Sequence, residues 1–440
     1  MIVSHFILFF ICNVQGFTHI HNWFPVVPVS TYDFSKISKI EILNKEFVIW
    51  KKGDNYIVQD DRCPHRSAPL SEGYIDRDSK NLRCSYHGWE FNEGGCTVCI
   101  PQNDCKRKFD VSVPSYETCV YGDILWVFLG NKTDVVSEYS TNHPSKTGIN
   151  NDTFTMMREI PYDYFILLEN LCDPAHVPFA HHGLQSRREK GSPVHIQMKE
   201  LNSTNYHIYF SDQVMGNGNE TRVGTMNIHL PCHYYLENVH PKDSILDTLH
   251  VFTVPVRKGK SRIIIKPQYN ISHPSFPLFS VIPKWIQHSL TNRFFDSDSL
   301  LLHEQERLLR KKNGGELYGY ERQYKLMTES DLAIKKYTKW MKRVNNFTLP
   351  WFFEHTHVNK ERKRREILGR LEQHTNSCKY CKNTLERSIF VQKSGIISSV
   401  WLGVWLQEPK IFSLGCLVWL ITEKIKYVLI FEDYVHNEID

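Results

Sequence analysis

The sequence predicts an α+β protein built in three parts: an N-terminal all-β domain, a second domain in which helices wrap an antiparallel sheet, and a C-terminal hydrophobic helical hairpin. Three observations carry this prediction. Short strand-like runs separated by turns fill residues 19–130. Longer strand-like runs and then an amphipathic helical pattern occupy 152–345. Two apolar runs lie close to the C-terminus, at 394–406 and 411–421.

Length and composition are those of a folded protein with more than one domain. A chain of 440 residues is long enough for two or three hydrophobic cores, and 41% hydrophobic and 23% charged residues are ordinary proportions. The net charge of +5 is small and the basic residues are dispersed, so no nucleic-acid partner is expected. The chain has 22 histidines and 12 cysteines, with several cysteines in C-x-H or C-x-x-C/H groups. This pattern favours metal or redox use over a disulfide framework.

The first domain is predicted from alternating strand and turn signals. Glu46–Trp50 and Tyr56–Val58 have the composition of strands, and the K-G-D-N segment between them is a turn signal. In the second domain, strand-like runs precede the helical pattern, at residues 206–210, 225–230, 251–256 and 263–265. The predicted divisions are a first domain (19–130), a polar linker (131–151), a second domain (152–345), a basic segment with a C-x-x-C motif (346–387) and a hydrophobic hairpin (388–431).

Two loops of the first domain carry a metal-binding pattern. The chain reads C-x-H at Cys63 and His65, and C-x-x-H at Cys84 and His87, with eighteen residues between the two motifs. Two thiolates on one iron and two imidazoles on the other are the ligands of a Rieske [2Fe–2S] cluster. Two cysteines and two histidines also satisfy tetrahedral zinc. Zinc fingers usually group their cysteines together and their histidines together, whereas each loop here holds one of each, which favours the Rieske cluster.

The stretch Glu169–His182 is the second candidate site. Asp173 and His176 stand three residues apart and share a helix face, whereas a straight helix would separate His176 from His181. Pro178 removes a helical hydrogen bond between the two histidines and kinks the chain, which can realign them. Two imidazoles with one carboxylate form the facial triad that binds Fe(II). The alternative is a helix end with two hydrogen-bonded histidines.

The two motifs together resemble the Rieske non-haem iron oxygenases. In that family the pattern E-N-x-x-D-x-x-H-x4-H carries the iron histidines, which correspond to His176 and His181. The acid that corresponds to Asp173 links the iron to the cluster of a neighbouring subunit. The resemblance therefore implies one Rieske [2Fe–2S] cluster, one mononuclear Fe(II), and a ring-shaped homo-oligomer, commonly a trimer.

The resemblance also implies a third iron ligand, a carboxylate on a later helix. Residues 294–309 form an amphipathic helical pattern that begins with acids. Asp298 is preferred, because its register to the following H-E-Q-E fits the family best, and Asp296 is the alternative. Both acids could instead cap the N-terminus of this helix.

Two further groups of cysteines have weaker patterns. Cys96 and Cys99, with Cys105, follow the second cluster loop and are predicted to be free loop cysteines rather than a thiol site. Cys378 and Cys381 form a C-x-x-C motif that fits a redox dithiol, half of a zinc site, or no function.

The C-terminal part is predicted to contact a membrane. Residues 360–374 read as a basic helix with a solvated face. The apolar runs 394–406 and 411–421 are each shorter than the roughly 20 residues of a spanning helix, and Gln407–Lys410 separates them. The favoured prediction is a membrane hairpin with both ends on one side. The alternative is an interfacial or buried helical pair.

A late C-x-x-C and a hydrophobic pair, added to the two iron sites, resemble the chloroplast group of these oxygenases. That group includes pheophorbide a oxygenase, the Rieske protein of the inner-envelope import translocon and the protochlorophyllide-dependent translocon component. The sequence at 173–178 and 181–184 is most similar to the last. The resemblance implies a monooxygenase that uses O2 to oxidise a chlorophyll-type tetrapyrrole. The alternatives are pheophorbide a oxygenase in chlorophyll breakdown and a non-catalytic redox component of the import translocon.

The same resemblance implies partners and a location. Ferredoxin is the expected electron donor, because no G-x-G-x-x-G segment is placed to bind a flavin or nicotinamide. Thioredoxin is a possible reductant of Cys378 and Cys381. The expected location is the chloroplast inner envelope membrane, although no Arg- and Ser-rich transit peptide is visible and residues 1–16 make a poor secretory signal.

Overall fold

The computed structural model describes most of the chain. The described residues are 22–105, 109–130, 143–150, 154–201, 205–212, 222–229, 231–239, 246–268, 281–314, 320–343 and 362–436. The N-terminal segment considered as a targeting signal, most of the predicted linker and the start of the predicted basic helix lie outside these residues.

Eighteen strands and seven α-helices are formed by the described residues. The strands are β1 Asn22–Pro28, β2 Ser38–Ile42, β3 Lys45–Lys52, β4 Asn55–Asp60, β5 Tyr74–Ile75, β6 Leu82–Arg83, β7 Glu90–Phe91, β8 Thr97–Cys99, β9 Ser115–Tyr116, β10 Thr118–Tyr121, β11 Ile124–Leu129, β12 Met156–Ile160, β13 His195–Glu200, β14 Asn205–Asp212, β15 Arg222–His229, β16 His233–Val239, β17 Leu246–Arg257 and β18 Lys260–Gln268. The helices are α1 Tyr164–Leu171, α2 Val177–Ala180, α3 Lys284–Lys312, α4 Leu332–Arg343, α5 Arg364–Ile367, α6 Lys379–Leu406 and α7 Pro409–Ile430.

The first domain consists of three small antiparallel sheets. Their strand orders are β1-β11-β10, β2-β3-β4-β9 and β5-β6-β7-β8. The last sheet is built from strands of two or three residues, and it holds the second candidate cluster loop, Cys84–Trp89, between β6 and β7. The first cluster loop, Cys63–His65, follows β4. Short strands thus present two loops at one end of the domain.

The second domain contains one seven-stranded antiparallel sheet in the order β12-β18-β17-β16-β15-β14-β13. The predicted strands at 206–210, 225–230 and 251–256 fall within β14, β15 and β17, apart from residue 230, which lies outside the described residues. Helix α1 packs on β17 and β18, and α3 contacts α1. The predicted α+β fold class is confirmed, whereas the domain boundaries stay predictions.

The two domains share one hydrophobic core. The ring of Trp126 on β11 meets the ring of Phe252 on β17 edge to face, with centroids 5.2 Å apart. Leu43 N donates to Pro255 O at 2.9 Å, which fastens the β2–β3 turn to the end of β17. Because buried apolar contacts and backbone hydrogen bonds both cross this boundary, the domains are held as one unit.

The C-terminal part differs from the sequence prediction in its basic segment. The prediction of one continuous basic helix at 360–374 is wrong: α5 ends at Ile367, and a π-helical turn follows at Leu371–Thr375. The break has a physical cause, because Gly369 pairs with Phe431 and the guanidinium of Arg370 turns into the core.

The hydrophobic hairpin is longer than its apolar runs. Helix α6 has 28 residues and α7 has 22, because polar turns at their bases continue each helix. Gln407, in the left-handed conformation, and Glu408 join the two helices, so they pack antiparallel. Among the described helices, α6 is the one long and apolar enough to cross a membrane.

A buried ion network fastens the C-terminal part to the second domain. Asp296 on α3 lies between two arginines that are almost fully buried. Its Oδ1 is 2.7 Å from Arg158 Nη2 on β12, and its Oδ2 accepts from Arg370 Nε at 2.9 Å. A charge buried among opposite charges is stable only while its partners remain.

We therefore expect Asp296→Ala to lower the free energy of unfolding by about 3–5 kcal/mol, because it leaves the buried guanidinium of Arg158 without its anion and leaves Arg370 with Glu432 alone. The measurement is the urea midpoint followed by circular dichroism. Asp433→Ala is the control, since Asp433 pairs with Arg364 at the surface, and a surface pair contributes about 1 kcal/mol or less. Equal midpoint shifts for the two variants would contradict the network's role.

Candidate metal centres and the adjoining cavity

The two cluster loops bring two thiols and two imidazoles together. Cys63 and Cys84 are each 2% exposed, whereas His65 is exposed and His87 is partly exposed. The two imidazole rings lie 4.6 Å apart. Burial, followed by the neighbouring Cys84 thiol, raises the pKa of Cys63 to about 11. A pair of adjacent buried thiols is stabilised as thiolates only by a cation, and inner thiols with outer imidazoles fit a Rieske [2Fe–2S] cluster.

Local backbone hydrogen bonds hold both loops. Cys63 N donates to Ala68 O at 2.8 Å, and Cys84 N donates to Trp89 O at 2.9 Å. Gly88 makes the turn after His87 with a φ of 75°, a backbone angle that a residue with a side chain rarely adopts. The indole of Trp89 stacks on His65, with ring centroids 4.6 Å apart. The H-G-W sequence thus sets the direction of the His87 imidazole through Gly88 and supports the His65 imidazole through Trp89.

The cysteines after the cluster loop are not all free. Cys99 and Cys105 form a disulfide across the turn Pro101–Asn103, so the expectation of free cysteines is wrong for this pair. The turn reverses the chain through Asp104, which has a left-handed conformation, and so brings the two cysteines together. Cys96 is free and exposed.

The second site lies between the stretch Glu169–His182 and helix α3. The ligand atoms of His176, His181 and Asp298 all lie within 4.8 Å of one another. His176 Nε2 is 3.3 Å from His181 Nε2, which is 3.5 Å from Asp298 Oδ2. A short 3₁₀ turn, Pro174–His176, runs directly into α2, and this change of helix type places the two imidazoles side by side.

Hydrogen bonds fix the tautomer of both histidines. His176 Nδ1 donates to Asp173 O. His181 Nδ1 lies 2.7 Å from Ser297 Oγ, and that hydroxyl donates to Phe294 O at 2.7 Å, so it must accept from the imidazole. Both Nε2 atoms therefore carry lone pairs that face each other. Such an arrangement needs a cation, and two imidazoles with a carboxylate fit Fe(II).

The electrostatics of the site also favour a bound cation. Burial, followed by the neighbouring His176, lowers the pKa of His181 to about 3. Burial raises the pKa of Asp298 to about 6. The imidazole is thus neutral near pH 7, and a metal ion would stabilise the carboxylate form of Asp298.

The two candidate acids of α3 have different surroundings. Asp296 is held between Arg158 and Arg370, whereas Asp298 faces His181. Asp173 lies beside the site, where its Oδ1 caps the 3₁₀ turn by accepting from Ala175 N at 2.9 Å, and burial raises its pKa.

Two neighbouring residues of the same stretch, His182 and Glu169, form hydrogen bonds outside the site. His182 Nδ1 accepts from Arg188 N at 3.0 Å. Glu169 Oε2 accepts from the Tyr324 hydroxyl at 2.9 Å. These side chains support the loop and the helix rather than join the donor atoms of the site.

Sequence reasoning missed one polar residue at the second site and two histidines beside the C-x-x-C motif. Ser297 gave no signal, because a serine between two acids is ordinary for a helix. His288 and His374 lie against Cys378 and Cys381, the two cysteines of the C-x-x-C motif. The spacing H-x3-C-x2-C at 374–381 was an available signal, but His374 fell within the predicted basic helix.

An apolar cavity of about 390 Å³ opens onto the second site. His176, His181 and Asp298 lie at its edge. Its walls are mainly side chains of the seven-stranded sheet: Phe210, Met226, Tyr234, Leu236, Leu249, Val251, Ile263 and Ile265. Such a volume falls within the roughly 300–1,000 Å³ of small-molecule sites, so an organic ligand fits beside the three donor atoms.

Comparison with known proteins agrees with both centres. Residues 22–117 match the family model described as Rieske [2Fe-2S] domain, and residues 230–316 match the one described as Pheophorbide a oxygenase. A crystal structure of dicamba monooxygenase bound to dicamba has the same fold, with a TM-score of 0.58 at 17% identity over 73% of this chain and 97% of that chain. The predicted resemblance to the Rieske non-haem iron oxygenases is confirmed by the Rieske domain followed by the Pheophorbide a oxygenase domain, and a Rieske [2Fe–2S] cluster and a mononuclear iron are the cofactors that this pair of domains supports.

Within that class, the chain groups with the chloroplast proteins. It is 28% identical to pheophorbide a oxygenase of Oryza sativa subsp. japonica, over 95% of this chain and 85% of the relative. It is also 28% identical to protochlorophyllide-dependent translocon component 52 of Arabidopsis thaliana, over 82% of this chain and 72% of the relative. The predicted group is confirmed, and the equal identities do not separate these two relatives.

We expect Ser297→Ala to weaken iron binding by about 10- to 100-fold, because it removes the acceptor that keeps the Nδ1 proton on His181. The measurement is iron titration of the chain after mild chelation, with the Rieske EPR signal as internal standard. Ser299→Ala is the matched control: it is buried on the same helix, and its hydroxyl donates to Phe295 O. Unchanged iron affinity in Ser297→Ala would show that the tautomer does not matter.

Proposed function

We propose that this chain is a monooxygenase that inserts one oxygen atom from O2 into a chlorophyll-type tetrapyrrole, such as protochlorophyllide or chlorophyllide. The observation that carries the proposal is the apolar cavity beside His176, His181 and Asp298. A large, flat and mostly apolar ring system suits walls of aliphatic and aromatic side chains. The similarity to chloroplast relatives with this domain supports the tetrapyrrole class.

The proposed ligand assignment follows the geometry. Cys63, Cys84, His65 and His87 would hold the cluster, and His176, His181 and Asp298 would hold the mononuclear iron. When bound, the cluster supplies electrons one at a time and the iron supplies open coordination positions for O2. The balance is O2 plus substrate, two electrons and two protons, giving hydroxylated substrate and one water.

This chain's own residues prepare the site. The carbonyl of Asp173 and the hydroxyl of Ser297 keep the Nε2 atoms of both histidines free for metal. We assign the Asp173 side chain to electron coupling between the iron and the cluster of a neighbouring subunit in a homotrimer. Its position directly before the 3₁₀ turn that carries His176 supports this role.

Ferredoxin is the proposed electron donor. His65 is exposed at the end of the first domain, and the exposed side chains of Arg62 and Arg66 flank it. Two cations beside an outward-facing cluster ligand favour docking of a small acidic electron-transfer protein.

Two related functions are kept as alternatives. Pheophorbide a oxygenase in chlorophyll breakdown is favoured by the similarity over 95% of the chain, and it would use the same iron sites with a different substrate. A non-catalytic redox component of the import translocon is less well supported, because a redox sensor has no use for the three converging donor atoms of the second site.

The decisive experiment is aerobic turnover with reduced ferredoxin on protochlorophyllide, chlorophyllide and pheophorbide, with a flavone as a smaller planar control. We expect one tetrapyrrole to gain one oxygen atom, and mass spectrometry with labelled O2 reads that gain. His176→Ala should abolish turnover and keep the Rieske EPR signal, since it removes an iron ligand only. His182→Ala is the control and should keep both.

Two outcomes would overturn parts of this proposal. Turnover that survives His176→Ala would exclude oxygenation at the second site. If the flavone alone is oxidised, the chain is an oxygenase whose substrate is not a tetrapyrrole.

We propose the chloroplast inner envelope membrane as the location, with the tip of the α6–α7 hairpin in the lipid. Trp401 and Trp405 stack on each other near the end of α6 and are 64% and 68% exposed. Other large apolar side chains are exposed around them: Ile397, Val404, Leu406, Leu414, Leu417, Leu420 and Ile421. An exposed apolar surface of this kind marks a membrane or protein contact, and both hairpin ends return to the folded domains.

We expect the chain to float with galactolipid and phosphatidylglycerol vesicles, and Trp401→Glu with Trp405→Glu to remain at the bottom of the gradient, because charge at the tip opposes insertion. Met327→Glu is the control, since Met327 is an exposed apolar residue outside the hairpin. Flotation of the tryptophan double variant would exclude the tip as the anchor.

A further inference from the structure

Two histidines and two cysteines converge in the interior, apart from both iron centres. His288 lies on α3, His374 lies in the π-helical turn, and Cys378 and Cys381 lie at the start of α6. All four are at most 3% exposed, and their ligand atoms lie within 4.8 Å of one another. Four soft or borderline donors in one buried place are the donor set of a closed zinc site.

The distances fit one tetrahedral ion. His288 Nδ1 is 3.1 Å from His374 Nε2, 3.3 Å from Cys378 Sγ and 3.4 Å from Cys381 Sγ. Zinc bonds of about 2.3 Å to sulfur and 2.0–2.1 Å to nitrogen separate tetrahedral donor atoms by roughly 3.3–3.8 Å. One imidazole contacts both sulfurs, so the donors surround one centre. In a Rieske cluster the imidazoles and the thiolates instead belong to different irons.

The orientation of His374 also fits metal binding. Its Nδ1 lies 2.7 Å from Met157 O, a carbonyl that can only accept, so the proton is on Nδ1 and the Nε2 lone pair faces the group. A backbone carbonyl on the second imidazole nitrogen is the usual support of a metal-bound histidine. The Nε2 of His288 is buried without a hydrogen-bond partner among the described residues, so its Nδ1 is the ring atom directed at the group.

We propose that His288, His374, Cys378 and Cys381 bind one Zn²⁺ in a closed, four-coordinate structural site. All four positions are taken by protein, and an apolar shell that includes Trp285, Leu385 and Leu429 surrounds the site. The shell excludes water, so the ion has no open position for substrate. A thioredoxin-reducible dithiol needs an accessible sulfur, whereas Cys378 and Cys381 are 3% and 0% exposed.

The proposed ion joins parts of the chain that are distant in sequence. Next to it, Lys379 N donates to Thr31 O at 2.8 Å, which ties the first domain to α6. The Thr375 hydroxyl donates to Leu429 O at 2.6 Å, which ties the π-helical turn to α7. Because His288 is on the helix that carries Asp298, the ion would fasten α3 to the first domain and to the hairpin. This proposal does not depend on the substrate.

The test is metal analysis of the full-length chain purified under reduction without chelator. We expect about one zinc besides about three irons per chain. Cys378→Ser and Cys381→Ser should lose the zinc and keep the Rieske EPR signal. Cys232→Ser is the matched control, a buried free cysteine outside the group, and should keep the zinc.

Cobalt substitution of the wild-type chain keeps the proposal testable if these variants do not fold. Tetrahedral cobalt bound to two thiolates gives intense sulfur-to-metal charge-transfer absorption, which a dithiol cannot give. A chain with full iron content, no zinc and no such cobalt spectrum would overturn the proposal. So would a Cys378–Cys381 disulfide in the purified chain that reduced thioredoxin opens reversibly.

Discussion

The rest of the structure depends on the polar face that α3 buries. Most of the helix's buried residues are polar or charged, and each needs a partner in the core. Asp296 pairs with Arg158 and Arg370. Glu306 accepts from Asp163 N at 2.6 Å and pairs with Arg310 at the same distance. The helix cannot shift by a turn without breaking several of these interactions, so its register is fixed.

A fixed register positions the mononuclear site. Asp298 and Ser297 are adjacent on α3, so one approaches the metal position while the other holds the proton of His181. Their partners come from the short segment around Pro174 and Pro178, where the chain leaves α1 through a 3₁₀ turn. A rigid helix on one side and a kinked loop on the other bring Asp298 together with two histidines that lie far from it in the sequence.

The sequence predicts what is local and misses what is distant. Cys63 with His65 and Cys84 with His87 could be recognised because each ligand pair lies within one loop. Asp296 and Asp298 could not be separated by composition, because only their partners in space differ. His288 stands 90 residues before Cys378, so no local pattern connects them.

The helical errors have a related cause. Periodicity at 360–374 predicts a solvated basic helix, but Arg370 and His374 are directed inward by Asp296 and Met157. Helix α6 also extends below the apolar run 394–406, because polar side chains at its base have partners: Lys382 pairs with Asp33, and Gln392 donates to Glu423. In both segments, tertiary partners decide what the pattern alone leaves open.

The same helix thus contributes to two groups of side chains that could hold a metal, and the number of donors separates them. At His288 the chain supplies four donors inside an apolar shell, which leaves an ion no free position and makes it part of the fold. At Asp298 it supplies three donors at the edge of a cavity, which leaves positions for O2 beside an organic ligand. A closed site that fastens α3 would therefore help to hold the open site in the geometry that its reaction needs.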